Sequence, residues 1–130
     1  MKAVKNEMKK LQNKADIFVL LTHQGYDLDV KFAKKIDGLD LIVGSHSQTA
    51  IEKPKEINKT LIVQSGKAGY YVGLVKIKMK RGKVVEKSGK LDTMKFELPD
   101  DPRIIEMIEE YEKKSGRMNH RKKKLLGHDH

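Results

Sequence analysis

Apolar residues recur along this chain at two different periods, and the change of period marks out its elements. Over residues 2–14, Val4, Met8 and Leu11 fall at i, i+4 and i+7 with lysines between them, the spacing of an amphipathic helix. Residues 15–21 then form a nearly unbroken apolar run, which predicts a strand buried on both faces, as in a parallel sheet. Asp27 is placed to cap a second helix that carries Val30, Ala33 and Ile36 on one side and stops at Gly38. Residues 40–44 repeat the buried-strand pattern. Strand, helix and strand at this spacing make a βαβ unit with a right-handed crossover.

The second half changes character. Pro54 and the polar residues up to Asn58 predict a surface loop, and residues 60–64 a third short strand. Beyond Gly66 and Gly69, residues 70–80 alternate. Tyr71, Gly73, Val75, Ile77 and Met79 lie on one side, and Val72, Leu74, Lys76, Lys78 and Lys80 on the other. Lysines in one half of an alternation predict an antiparallel strand with a wet face. Arg81-Gly82 turns into Val84-Val85, and residues 91–96 predict one more strand. Asp101 followed by Pro102 starts a helix whose stripe is Ile104, Ile105, Ile108 and Tyr111 and whose stop is Gly116. The fold class is α/β, a βαβ unit followed by antiparallel strands and a C-terminal helix.

Composition narrows the chemistry. The chain has 130 residues, 38% hydrophobic and 35% charged, enough for one domain or part of one, with roughly two-thirds of its surface buried on folding. There is no cysteine, so disulfides and thiolate metal sites are excluded, and any metal must use histidine, carboxylate or amide ligands. No signal peptide is visible after Met1, and no apolar run reaches the ~18 residues of a membrane-spanning helix. The net charge of +10 is uneven. From Lys113 onward, seven basic residues face only Asp129, a net +6. Such a tail can attract nucleic acid or another polyanion by counterion release, or serve only as a solvated end. His120, His128 and His130 lie within it and read as an exposed polar end.

The remaining candidates for chemistry sit where the buried strands end. His23 follows the first, and His46 and Gln48 follow the second in Leu41-Ile42-Val43-Gly44-Ser45-His46-Ser47-Gln48-Thr49. In extended backbone, positions 46 and 48 point the same way, roughly 6–7 Å apart. Parallel neighbouring strands emerge at the same sheet edge, where open α/β sheets bind ligands. If the two strands are neighbours, His23 and His46 can reach one ion, and Gln48 a second ~3.5–4 Å away. Imidazole and amide oxygen suit a divalent ion such as Mn, Zn, Fe or Co.

These stretches resemble the calcineurin-like metallophosphoesterases, in particular their 5'-nucleotidase branch. Ala15-Asp16-Ile17-Phe18-Val19-Leu20-Leu21-Thr22-His23-Gln24-Gly25 looks like that family's "aDviIvLsHlG" strand and loop. Leu39-Asp40-Leu41-Ile42-Val43-Gly44-Ser45-His46-Ser47-Gln48-Thr49 looks like "iDvIiGGHsHt", with Ser45 in place of the second glycine and Gln48 in place of the usual second histidine. Ile62-Val63-Gln64-Ser65-Gly66-Lys67 and Tyr70-Tyr71-Val72-Gly73 resemble the "ivQaGkygkyvG" stretch that follows. The resemblance implies a metal-dependent phosphoester hydrolase of the two-metal, activated-hydroxide type. In it, His23 and His46 would lie on one ion and Gln48 on the other. It also implies half of an α/β/β/α sandwich, with residues 1–113 as the C-terminal half of the catalytic domain and 114–130 as a basic, disordered tail.

The family's DxH pair, bridging aspartate and GNHD motif do not occur in these 130 residues. The resemblance therefore implies a chain inactive by itself, either a fragment from a truncated or frameshifted gene or one subunit of a split enzyme whose partner chain supplies the N-terminal half of the domain. A phosphoester or nucleotide would be the substrate of the assembled site. Self-association through an exposed sheet edge is expected. Many relatives are exported, whereas nothing in this chain marks a compartment. The alternative is a non-catalytic module that binds nucleic acid through its tail.

Overall fold

The computed structural model describes residues 1–95 and 97–116. Everything expected of the tail beyond Gly116, its disorder and its histidines included, lies outside the described residues. The chain divides into two units, residues 1–95 and the segment from Phe96 on.

The first unit contains helices α1 (Lys2–Leu11) and α2 (Tyr26–Lys35) and strands β1 (Val19–Leu21), β2 (Leu41–Val43), β3 (Lys55–Ile57), β4 (Thr60–Val63), β5 (Tyr71–Lys80) and β6 (Lys83–Thr93). Four strands form one sheet in the order β1-β2-β4-β3, and β5 and β6 form a separate hairpin. Strands β1, β2 and β4 are parallel, with β3 antiparallel at the edge. The βαβ unit read from the sequence is therefore present, and β1 and β2 are direct neighbours.

Register then sorts the side chains. Leu20, Ile42 and Ile62 are paired across the three parallel strands. Ile42 and Ile62 form a core with Ala33, Ile36 and Leu39, against which Val4, Met8, Phe18 and Leu20 pack. Because side chains alternate along a strand, Val19, Leu41 and Leu61 and the row Leu21, Val43 and Val63 lie on the opposite face. Cover there is uneven. Leu41 and Leu61 are buried, whereas Val19 is 49% exposed and Leu21 75%. The hairpin lies over the β4 side, so close that a side chain on Gly89 would meet Pro54 and Val63. Among the described residues the β1 side of that face is left open, so the first strand is not buried on both faces as its apolar run predicts.

Four further expectations are corrected. The first strand is shorter than the apolar run, because Phe18 donates its N–H to Asp40 Oδ2 at 2.9 Å instead of joining the ladder. Helix α2 begins at Tyr26 behind Gly25 rather than at a cap by Asp27, which sits in its first turn. Tyr26 N–H finds an outside acceptor in Ser47 Oγ at 3.2 Å, so no side-chain cap at residue 27 is needed. The expected loop at 54–58 includes strand β3, which turns into β4 through Asn58 and Lys59, both left-handed (φ 48° and 61°). A two-residue turn with both φ positive matches the twist of a hairpin, and glycine or asparagine is its usual signal; lysine at the second position hides it. Finally, β6 is one strand of 11 residues rather than two pieces. Its alternation is obscured because an inward position is Lys87, whose side chain is only 6% exposed and pairs with Glu56 at 3.5 Å and with the Lys59 carbonyl.

The second unit contains helix α3 (Pro102–Ser115). Its start is as expected: Asp101 accepts from Arg103 N–H at 2.9 Å with Pro102 in the first turn, and Gly116 ends it in the left-handed region. The Arg103 side chain, then its backbone N–H, hold the Asp101 carboxyl below the usual carboxylate range. Among the described residues, no helix is long and apolar enough to cross a membrane.

Ile42 is fully buried at the centre of the parallel strands. Ile42→Ala should lower stability by about 2–5 kcal/mol, read from the shift of the urea midpoint. A loss under ~1 kcal/mol would show that this row does not centre the core.

Candidate metal site at the strand exits

Adjacent parallel strands deliver their exit loops side by side, and here the two loops are bonded together. Thr22 donates its N–H to Val43 C=O at 3.0 Å, and Gly25 donates to Ser45 C=O at 3.2 Å. The side chains follow. His23 Nε2 and His46 Nδ1 are 3.2 Å apart, with ring centroids 5.0 Å apart and planes at 73°. Both rings are exposed.

The backbone reaches this arrangement by a route the apolar pattern does not predict. His46 is not extended; its φ is 77°, and Ser47 donates its N–H to Ser45 C=O at 3.0 Å across it. That is a γ-turn of the positive-φ kind, rare and strained. Gln48 also has positive φ, at 54°. The side-by-side projection of residues 46 and 48 that extended backbone would give is therefore lost. Gln48 is exposed, and among the described residues no hydrogen bond joins it to the histidine pair. The structure brings His23 and His46 together; among the described residues Gln48 makes no hydrogen bond to either.

A strained turn persists only where its surroundings over-determine it, and Gln64 does this here. It is 3% exposed, at the exit of β4. Its Oε1 accepts from Thr49 N–H at 2.6 Å and from Ser47 Oγ at 2.9 Å, and its Nε2 donates to Ser45 C=O at 3.1 Å. Ser47 Oγ also accepts from Tyr26 N–H and from Thr49 Oγ1, tying the loop to the start of α2. Beneath it, Asp29 is completely buried. Its Oδ1 accepts from Gln24 Nε2 at 2.9 Å, and among the described residues its Oδ2 has no hydrogen-bond partner. That oxygen faces Gly44 so closely that a Cβ there would lie 2.3 Å from it, which explains the glycine.

Two nitrogens each ~2.0–2.1 Å from one ion stand roughly 2.9–3.4 Å apart between right-angle and tetrahedral geometry. The 3.2 Å between His23 Nε2 and His46 Nδ1 falls in that interval, so the pair fits a shared ion. It does not make a full shell: among the described residues, no group of three or more histidine or acidic side chains stands together as a metal cluster.

No family model matches the chain. Among curated proteins, it is 33% identical over 86 residues to the trifunctional nucleotide phosphoesterase protein YfkN of Bacillus subtilis (strain 168), covering 62% of this chain. It is 29% identical over 122 residues to the 5'-nucleotidase of Homo sapiens, covering 78%. Among solved structures, it superposes on the 5'-nucleotidase precursor from Thermus thermophilus with a TM-score of 0.75 and 25% identity over 88% of this chain. Over this partial region, the chain belongs to the 5'-nucleotidase branch of the calcineurin-like metallophosphoesterases. It spans only a minor part of each relative, 6%, 21% and 26% of their respective lengths. The α/β reading, with a parallel sheet followed by antiparallel strands, is the fold of this metallophosphoesterase region.

The sequence reading passed over Gln64, Ser47 and Asp29. Gln64 carried a signal, since a polar residue closing the buried run Leu61-Ile62-Val63 must find partners inside. Asp29 carried one too, lying on the same face of α2 as Ala33 and Ile36. Gln64→Leu should keep the volume but leave the Thr49 N–H and the Ser47 hydroxyl proton without the acceptor that the amide supplies. A loss of about 1–3 kcal/mol is expected, with faster hydrogen exchange at the Thr49 amide. Unchanged exchange at Thr49 would show that something else holds the loop.

Proposed function

We propose that this chain supplies one wall of a metal-dependent phosphoester hydrolase site, with His23 and His46 sharing one divalent ion and Gln48 turned toward a second. The carrying observation is the convergence of His23 Nε2 and His46 Nδ1 at 3.2 Å, at the exits of adjacent parallel strands. The relatives are named as 5'-nucleotidases and a nucleotide phosphoesterase, which supports a nucleotide or related phosphate ester as the substrate class. A divalent ion such as Mn, Zn, Fe or Co supplies a Lewis acid and lowers the pKa of bound water. The chain's own residues orient the donors: the γ-turn aims His46, and the Thr22 and Gly25 bonds hold the His23 loop beside it. Exposure of both rings leaves the site open to an ester from solvent.

Two imidazoles are an incomplete shell, and we infer that the other ligands come from a further segment or a partner chain. Support for a covering surface lies in the open β1 side of the sheet, where Val19 and Leu21 are exposed and, among the described residues, β1 has no outer neighbour. Without that cover, the same apolar edge favours self-association.

Titration calorimetry of the 130-residue chain with Mn²⁺ or Zn²⁺ should show weak binding. His46→Ala should reduce it at least as much as the roughly tenfold that outer-shell losses cost. Binding unaffected by both His23→Ala and His46→Ala would overturn the assignment. On bis-p-nitrophenyl phosphate and AMP, the rate should stay near background; turnover abolished by His46→Ala would show instead that this wall suffices. In sedimentation velocity, the chain should associate with rising concentration, and Leu21→Lys should shift it toward monomer. A wild-type monomer at all concentrations would remove the case for a covering partner at this edge.

A further inference from the structure

We propose that Ser45 is a positioning residue that fixes His23 in its Nδ1–H tautomer and so presents the Nε2 lone pair to His46. Ser45 Oγ lies 2.6 Å from Thr22 C=O and 2.9 Å from His23 Nδ1. A serine hydroxyl has one proton to give. The Thr22 carbonyl can only accept, so the short contact takes that proton. Ser45 Oγ must then accept, and the proton on the second contact belongs to His23 Nδ1. The reverse assignment would leave two oxygens 2.6 Å apart with no proton between them.

The consequence runs on to the second ring. With Nδ1 protonated, neutral His23 carries its lone pair on Nε2, the atom 3.2 Å from His46 Nδ1. In the metal-free protein, that contact is a hydrogen bond only if His46 carries its own proton on Nδ1. Thr22 C=O thus sets the direction of the whole chain of contacts, through Ser45 and His23 to His46. Ser45 stands where the family pattern has glycine, so the hydroxyl is this chain's own addition. Which nitrogen of a histidine is free to ligate is set by the hydrogen bond its other nitrogen makes. The tautomer stands on the geometry; its service to a metal ion rests on the function proposed above.

The test is ¹⁵N NMR of the histidine-labelled full chain at about pH 8.5, two units above the ordinary histidine pKa of about 6.5. His23 is assigned from the signals missing in His23→Gln. The wild type should show a pyrrole-type Nδ1 and a pyridine-type Nε2 at His23. Ser45→Ala should move His23 toward the Nε2–H tautomer, whereas Ser45→Thr, which keeps a hydroxyl, should retain the wild-type pattern. A wild-type proton on Nε2 overturns the proposal without any variant, and so does a Ser45→Ala spectrum identical to wild type. With Zn²⁺ added, the wild-type Nε2 signal should shift, and Ser45→Ala should bind zinc roughly 10–100-fold more weakly. A wild-type Nε2 signal that zinc does not move overturns the metal reading, while the metal-free spectra continue to support the role of Ser45.

Discussion

The geometry at the strand exits depends on how a buried amide is satisfied. Gln64 closes the last parallel strand, and its carboxamide meets the loop after β2 with both ends, accepting at Thr49 and Ser47 and donating at Ser45. Such a group is costly to bury without partners, and the loop contains a residue in a conformation that costs energy to maintain. Each offsets the other. The Ser45 carbonyl shows how dense the arrangement is, taking donors from Gly25, Ser47 and Gln64 at once. Loop, helix start and strand exit are held as one piece, so His46 meets His23 without any further element of this chain.

Much of this was visible in the order of residues, and what was hidden was hidden for physical reasons. Parallel strands announce themselves by apolar residues on both faces, even where, as at β1, one face is exposed, so the βαβ unit and the two exits carrying His23 and His46 could be placed. Strand β3 was missed because its turn uses Lys59 where glycine is usual. Strand β6 was missed because Lys87 occupies an inward position through its partner Glu56, and Gly89 yields to Pro54 and Val63. At the site, residue identity pointed to both histidines, but the direction in which each points is a matter of backbone. The positive φ of His46 and of Gln48 leaves no mark in composition or periodicity.

Departures from the family pattern at these exits show what is particular to this chain. Gly44 is kept, and the buried carboxylate of Asp29 leaves no space for anything larger. The following position is a serine, and its hydroxyl bonds to the neighbouring loop at the ring nitrogen that faces away from His46. Serine in place of the family's glycine thus adds side-chain contacts, to Thr22 C=O and to His23 Nδ1, to the two backbone bonds that already join the β1 and β2 exits.

The open face of β1 has a thermodynamic consequence. Leu21 is two residues from His23, so a surface that covers the leucine comes to rest beside the imidazole. Under the proposed function, burial of that apolar face and completion of an ion's coordination shell would share a single free energy. Under such linkage, an ion would strengthen docking by the same factor by which docking strengthens its hold on the ion. The proposed two-nitrogen site and the open sheet edge would then be two readings of one equilibrium.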